Sequence, residues 1–171
     1  MPEKEGLWRA TADICEFWNG QSKLRLLDNN LTANEEYCLR ILNEFIEHRI
    51  QVDFSQGLDI RFLTDKIAQL LARVKLWKQI HFAWDRMQDE GQVRKGITIL
   101  DRAMPLSRVM FYVLIGFDTT PEEDLYRVET LRGLKVDPFV MPYGKTKYEK
   151  RFTRWVNHKA IFKSVQWKDY K

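Results

Sequence analysis

Apolar positions along the chain alternate between two spacings, and the alternation recurs. The clearest instance is Val109 to Asp124, V-M-F-Y-V-L-I-G-F-D-T-T-P-E-E-D. An unbroken apolar run from Val109 to Ile115, rich in β-branched and aromatic residues, predicts a strand buried on both faces. Gly116 ends it and a short polar loop follows. Thr120-Pro121-Glu122-Glu123 then starts a helix. The Thr120 hydroxyl can accept from the backbone N–H of the third helical residue, and Glu123 can reach back to the N–H of Thr120. Pro121 stands where its missing N–H costs nothing. A cap of this kind contributes about 1 kcal/mol. The unit is strand, tight polar loop, capped helix.

The same unit can be followed through the chain. Leu7, Ala10, Ile14 and Phe17 fall at helical spacing and predict an amphipathic helix over 7–18. Leu24 to Leu27 reads as a short strand ending in Asp28-Asn29-Asn30. Thr32-Ala33-Asn34-Glu35 reads as a second capping box, before a helix with Cys38, Ile41, Leu42 and Phe45 on its buried face. Gln51 to Ser55 is a strand followed by Gln56-Gly57-Leu58-Asp59-Ile60-Arg61. Thr64 caps a helix whose apolar face is Ile67, Leu70, Leu71 and Val74. Gln79 to Trp84 is a strand ending in Asp85, and a helix from about Glu90 carries Val93, Ile97 and Leu100. Gly96 weakens that helix. Val136 to Met141 is a strand that Pro138 assigns to an edge or an irregularity. A basic helical segment begins at about Tyr148.

The strands begin near 23, 51, 79, 108 and 136, at intervals of 28, 28, 29 and 28 residues. Such alternation predicts an α/β protein whose parallel strands are joined by right-handed crossovers. Two architectures fit: part of a β/α barrel, or a doubly wound open sheet. Every strand ends in a polar cluster, and a barrel converges these on one mouth. A doubly wound sheet usually carries a glycine-rich phosphate loop, and neither G-x-G-x-x-G nor a P-loop occurs. The expectation is a partial, TIM-like β/α barrel over 1–144: an open arc of about five parallel strands in sequential order. A basic, aromatic helical tail at 145–171 follows it.

Charge refines this picture at the tail alone. Residues 145–171 hold nine Lys and Arg against Glu149 and Asp169, while the rest of the chain is net acidic by three charges. Lys145, Lys147, Lys150, Arg151, Arg154, Lys159, Lys163 and Lys168 interleave with Phe152, Trp155, Phe162 and Trp167. Basic residues among aromatics can follow a phosphate backbone and stack bases, so nucleic acid is a candidate partner. Trp155, His158, Phe162 and Val165 also share a helical face, which predicts an amphipathic closing helix instead. No apolar run reaches membrane-spanning length, and two cysteines, Cys15 and Cys38, fit a reducing compartment. The expected setting is cytoplasmic, without a membrane partner.

The chain shows no G-x-S-x-G, no H-E-x-x-H and no C-x-x-C. Asp28, Asp59 and Asp85 could form a carboxylate cluster for general acid–base work, or could cap loops and helices. A polar, aromatic-lined mouth without a reactive group is the kind of site that relies on a cofactor.

L-L-D-N-N-L-T-A-N, F-S-Q-G-L-D-I-R, H-F-A-W-D and F-Y-V-L-I-G-F-D-T-T-P-E-E-D, in this order and at this spacing, resemble the radical S-adenosylmethionine superfamily. The resemblance spans about Pro2 to Tyr170. It implies a partial β/α barrel holding a 4Fe-4S cluster and S-adenosylmethionine at the C-terminal strand ends. Reductive cleavage of the cofactor then abstracts hydrogen from a substrate that remains unidentified. It places Asp28, Asn29 and Asn30 near the methionyl amine, and Ser55, Gln56, Asp59 and Arg61 near the ribose and carboxylate. Trp84 and Asp85 match the following strand end, Gly116 the glycine of the fifth-strand pattern, and Met141 and Tyr143 the strand that packs on adenine. Phe117-Asp118-Thr119-Thr120 departs from the family's G-x-P-G-E-T. No catalytic residue is implied. The family's C-x3-C-x2-C loop is absent, and Cys15 and Cys38, with 22 residues between them, cannot supply three thiolates. The expectation is a chain that starts just after the motif and binds no cluster alone. It would be inactive unless an upstream fragment supplies the cysteines; an inert remnant is the remaining reading.

Overall fold

Strands and helices alternate through residues 13–27 and 30–170, which are those described by a computed structural model. In chain order they are α1 (Ile14–Phe17), β1 (Lys23–Arg25), α2 (Glu35–Glu47), β2 (Gln51–Asp53), α3 (Asp65–Arg73), β3 (Lys75–Leu76), β4 (Ile80–Ala83), α4 (Glu90–Ala103), β5 (Val109–Ile115), α5 (Pro121–Gly133), β6 (Asp137–Pro142), α6 (Lys147–Asn157) and α7 (Lys159–Ser164). Asp28 and Asn29, and the first half of the helix expected over 7–18, lie outside the described residues.

The chain is mixed α/β, with two three-stranded parallel sheets ordered β1-β2-β3 and β4-β5-β6. Strand order follows chain order, and no barrel is closed. Five strands in one arc were expected; six in two sheets are found. The break lies in the third repeat. α3 ends at Arg73, and Val74, expected on its apolar face, is already extended. Lys75 and Leu76 then pair with β2, and the Trp77 N–H donates to the Val52 carbonyl at 2.9 Å. Only from Ile80 does the chain pair with β5. A backbone hydrogen bond spans the gap: the Leu58 N–H, in the loop after β2, donates to the His81 carbonyl at 2.8 Å.

β5 was expected to be buried on both faces. Its Val109, Phe111, Val113 and Ile115 are buried, but Met110, Tyr112 and Leu114 on the opposite face are only partly so. On that face Tyr112 lies between His81 of β4 and Phe139 of β6, and Phe139 is itself exposed, so the cover is incomplete. β6 is an edge strand, in keeping with Pro138.

The helices bury the stripes their periodicity dictates: Cys38, Ile41, Leu42 and Phe45 on α2, and Ile67, Ala68 and Leu71 on α3. Gly96 of α4 has a packing reason that outweighs its low propensity. A Cβ there would overlap the Ile60 side chain, so glycine lets the loop after β2 lie against the helix. Thr120 and Glu123 form the expected capping box. Thr32 does not cap α2; Asn34 does, accepting from the Tyr37 N–H at 2.9 Å. The Thr32 hydroxyl instead lies within hydrogen-bond distance of the backbone N–H and carbonyl of Asp59, at 3.1 and 3.2 Å.

The tail aromatics are core. Phe152, Trp155 and Phe162 are buried, Trp167 packs half-buried among them, and the Trp155 indole donates to the Val165 carbonyl at 3.0 Å. Phe152, Trp155 and Phe162 thus pack inward, as the amphipathic closing helix predicts. The eight named Lys and Arg side chains of the tail are all exposed.

Candidate functional site

The loops after β2, β4 and β5 surround one cavity of about 860 Å3, at the C-terminal ends of the parallel strands. Parallel strands leave their C-terminal edge open, and the loops that leave it are free of sheet geometry, so ligands collect there.

The loop after β2 is built from its own residues. The Asp59 carboxylate accepts from the Arg61 N–H at 3.0 Å and grips the Arg61 guanidinium in two directions, at 2.9 and 2.6 Å. Thr32 pins the same turn from one side and Ile60, seated on Gly96, from the other. In the loop after β4, Asp85 accepts from the Leu114 N–H at 3.0 Å, and Arg86 makes a two-pronged contact with Asp89 at 3.1 and 3.2 Å. Beneath both β4 and β5 lies Arg127, fully buried. It donates to the carbonyls of Trp84, Asp85 and Leu114 at 2.8, 3.0 and 2.8 Å, and to the Asp124 carboxylate at 2.7 Å. A charge there is held by the ends of the two strands, and it holds them in turn.

Of the residues predicted from the sequence, Asn30, Gln56, Asp59, Arg61 and Asp85 line the cavity. Ser55 stands behind it, its carbonyl accepting from the Tyr112 hydroxyl at 3.1 Å. Trp84 does not flank the mouth: it is fully buried, with its indole donating to the Arg86 carbonyl at 3.0 Å. Alternation forces this, because Ile80, Phe82 and Trp84 share the core face and Asp85 falls on the other. Gly116 is turned away as well. With φ at +73° it packs on the Glu149 carboxylate, which accepts from the N–H groups of Gly144 and Thr146 and from the Thr146 hydroxyl. Those bonds hold the Glu149 carboxyl below the usual carboxylate range. Met141 and Tyr143 are exposed and do not line the cavity; the Tyr143 ring lies 4.8 Å from that of Phe117, which does.

Tyr112, Arg86, Asp89, Phe117, Asp118 and Glu123 line the cavity too and were missed. Tyr112 sits in a run whose inward parity no local signal marks. Glu123 was legible only as a cap. The acid residues Asp59, Asp85, Asp89, Asp118 and Glu123 outnumber Arg61 and Arg86, and each arginine is already paired. The mouth is therefore rich in acceptors and suits a ligand that brings amines, hydroxyls or a positive charge.

Below the mouth, the His81 ring of β4 lies tilted against that of Tyr112, with centroids 4.9 Å apart. Burial lowers the His81 pKa against the opposing pull of the Phe54 carbonyl and Asp53, and burial raises that of Tyr112. Folding therefore loses stability as pH falls through the ordinary histidine range, because the unfolded chain takes up a proton that the folded one resists. The loss levels off once pH passes below the folded pKa. In His81→Phe, denaturation measured between pH 8 and 5 is expected to lose this component; an unchanged slope would assign the pH dependence to other groups.

Among the described residues no three His, Cys, Asp or Glu cluster to hold a metal ion, and no helix is long and apolar enough to cross a membrane. No family model matches the chain, and a search of the curated proteins gives no match.

Proposed function

We propose that this chain is the cofactor-cradling part of a radical S-adenosylmethionine protein, with S-adenosylmethionine seated in the mouth at the strand ends. On this reading the two sheets are one partial barrel, an arc interrupted at Trp77–Gln79 and bridged by the Leu58–His81 bond. The observation that carries it is the acceptor-rich cavity that Asn30, Gln56, Asp59, Arg61 and Asp85 share. S-adenosylmethionine is a sulfonium cation with an amine and two ribose hydroxyls, so unpaired carboxylate oxygens are the partners it needs. In this reading Asp85 and Asp118 face the cationic, donor-bearing end, and the paired Asp59 and Arg61 hold the loop in shape. Gln56 offers both a donor and an acceptor to the ribose. When bound, the cofactor supplies a radical that abstracts hydrogen from a substrate.

The 4Fe-4S cluster does not fit the cysteines of this chain. It needs three thiolates on one loop, and Cys15 is exposed on α1 while Cys38 is buried on α2. The thiolates would come from outside this sequence, and no step through a cluster is assigned to these residues. The low cysteine count accords with a reducing, cytoplasmic setting.

The experiment joins a segment carrying C-x3-C-x2-C to this chain and reconstitutes it anaerobically. Iron quantification and electron paramagnetic resonance should then report a cluster, and reduction with S-adenosylmethionine should release 5′-deoxyadenosine. Asp85→Ala and Arg61→Ala are expected to cut that release without unfolding the protein, since both residues lie in loops. A reconstituted protein that holds iron yet never cleaves S-adenosylmethionine overturns the reading.

A further inference from the structure

Three cations gather on one exposed ring at the seam between the sheets. Trp77, 42 % exposed, follows β3 and donates its N–H to the Val52 carbonyl, which sets it beside Asp53. Lys23 Nζ, the Arg25 guanidinium and Lys78 Nζ stand over the indole at 5.0, 5.8 and 5.9 Å from its centroid. Strand alternation puts the first two there: Leu24, between them, packs on the core, so both project from the opposite face. Arg25 and Lys78 share one counter-ion, Asp53, whose Oδ2 lies 3.1 Å from Arg25 Nε and 3.5 Å from Lys78 Nζ. Across the seam, the side chain of Gln79, next in the chain to Lys78, accepts from Lys159 Nζ at 3.2 Å. Lys159 and Lys163 of α7 share Asp137, at 2.6 and 3.7 Å.

The cluster is short of negative charge. Lys23, Arg25, Lys78, Lys159 and Lys163 face two carboxylates, Asp53 and Asp137, which leaves a surplus of three positive charges. All five basic side chains are exposed. Like charges held this close repel one another, and a ring quadrupole offsets that only weakly. A partner that brings full negative charges relieves it. None of these side chains lines the cavity at the mouth, whose acid residues would turn the same partner away. The ring narrows the choice of polyanion. A duplex keeps its bases stacked inside and offers these side chains phosphates alone. A membrane surface calls for several apolar side chains on one face, whereas these cations share a single ring. A single strand offers both phosphates and an unstacked base, and a basic surface around an exposed aromatic side chain is what it needs. The combination expected of the tail is thus assembled in space: the tail contributes Lys159 and Lys163, and Trp77 contributes the ring.

We propose that this seam binds single-stranded nucleic acid, with phosphates against Lys23, Arg25, Lys78, Lys159 and Lys163 and a base against Trp77. The cations exchange the indole for phosphate, which frees a face of the ring for the base. The site shares no residue with the one proposed for S-adenosylmethionine and stands whether or not the mouth takes that cofactor.

The test is fluorescence anisotropy of the full chain with a fluorescein-labelled oligothymidine of about 15 nucleotides, across a series of salt concentrations. Saturable binding is expected. Its affinity should fall with salt, and five phosphate contacts give a slope of log K on log salt of about −3.5. Lys23→Ala and Lys163→Ala should each flatten that slope by about 0.7. Trp77→Ala should weaken binding about tenfold at unchanged slope, and Trp77→Phe should restore most of it. Lys147→Ala with Lys150→Ala, at the far end of β6 where Glu149 meets Gly144, should cost far less than Lys23→Ala with Lys163→Ala. Every substituted side chain is exposed, so misfolding does not blur the result. No binding at low salt overturns the proposal. So does a Trp77→Ala variant that binds as well as the unaltered chain, or a duplex of the same length that binds as tightly. An equal loss from the Lys147 and Lys150 pair would assign the contact to the start of the tail and equally refute it. Capture by phosphatidylserine vesicles without any binding of oligothymidine would make the seam a membrane contact instead.

Discussion

Arg127→Ala should cost this protein about 3–5 kcal/mol of folding free energy, the range for stripping one partner from a buried ion pair. The guanidinium is fully buried and Asp124, its partner at 2.7 Å, is 1 % exposed. Removal leaves the carboxylate with only the Thr119 and Tyr148 hydroxyls, at 2.8 and 3.2 Å. It also orphans the carbonyls of Trp84, Asp85 and Leu114, three acceptors at the very ends of β4 and β5. Each buried acceptor left without a donor costs about 1–3 kcal/mol unless water enters. The cost falls on the function as well, because Asp85 and the loop after β5 take their positions from those strand ends. Arg127→Met with Asp124→Leu should cost less than Arg127→Ala alone, since it leaves no uncompensated charge. Urea denaturation checks both: the midpoint should fall with the slope unchanged. A loss below about 1 kcal/mol would mean that solvent replaces the guanidinium and that the clamp is dispensable.

Much of the fold was legible because the repeat imposes its own ruler. A strand, a loop and a helix fill 28 residues, and the apolar period changes at each boundary. What was not legible depended on tertiary choice. Lys75-Leu76-Trp77-Lys78-Gln79 carries no turn residue, so nothing in it announces that one strand ends on β2 and another begins on β5. Thr32 matched the capping pattern as well as Asn34 did, and the contest was decided by Asp59, 27 residues away. Nothing in the sequence singles out Arg127, because α5 buries Asp124 and Arg127 beside Val128 and Leu131 and so has no clean apolar stripe. The site divides along the same line. Loop residues such as Asp59 and Asp85 could be read because they follow strands. Trp84 and Tyr112 could not, because the face a strand residue takes is set by register, and a shift of one residue reverses it. The alternation Ile80, Phe82, Trp84 does contain the answer for Trp84, once the strand is known to have one core face.

Gly116→Ala should cost about 2–5 kcal/mol, and for a reason other than cofactor contact. Gly116 has φ of +73°, where a Cβ costs about 1–2 kcal/mol. That Cβ would also overlap the Glu149 carboxylate, which cannot swing aside without losing the N–H groups of Gly144 and Thr146 and the Thr146 hydroxyl, at 2.8, 2.8 and 2.6 Å. Overpacking of this kind adds about 1–3 kcal/mol. The two parts can be separated in a double-mutant cycle with Glu149→Ala, which alone should cost about 1 kcal/mol as a lost cap. In that background the overlap is gone, and Gly116→Ala should cost only its backbone share. The coupling measured by denaturation should therefore equal the steric part; strict additivity would show that the carboxylate yields freely. The same variant decides what the glycine is for. If Gly116→Ala folds with undiminished stability yet the reconstituted protein uses S-adenosylmethionine poorly, the residue acts on the ligand. If stability falls as expected, the glycine serves the junction of β5 with the cap of α6, and its place in the fifth-strand pattern reflects packing.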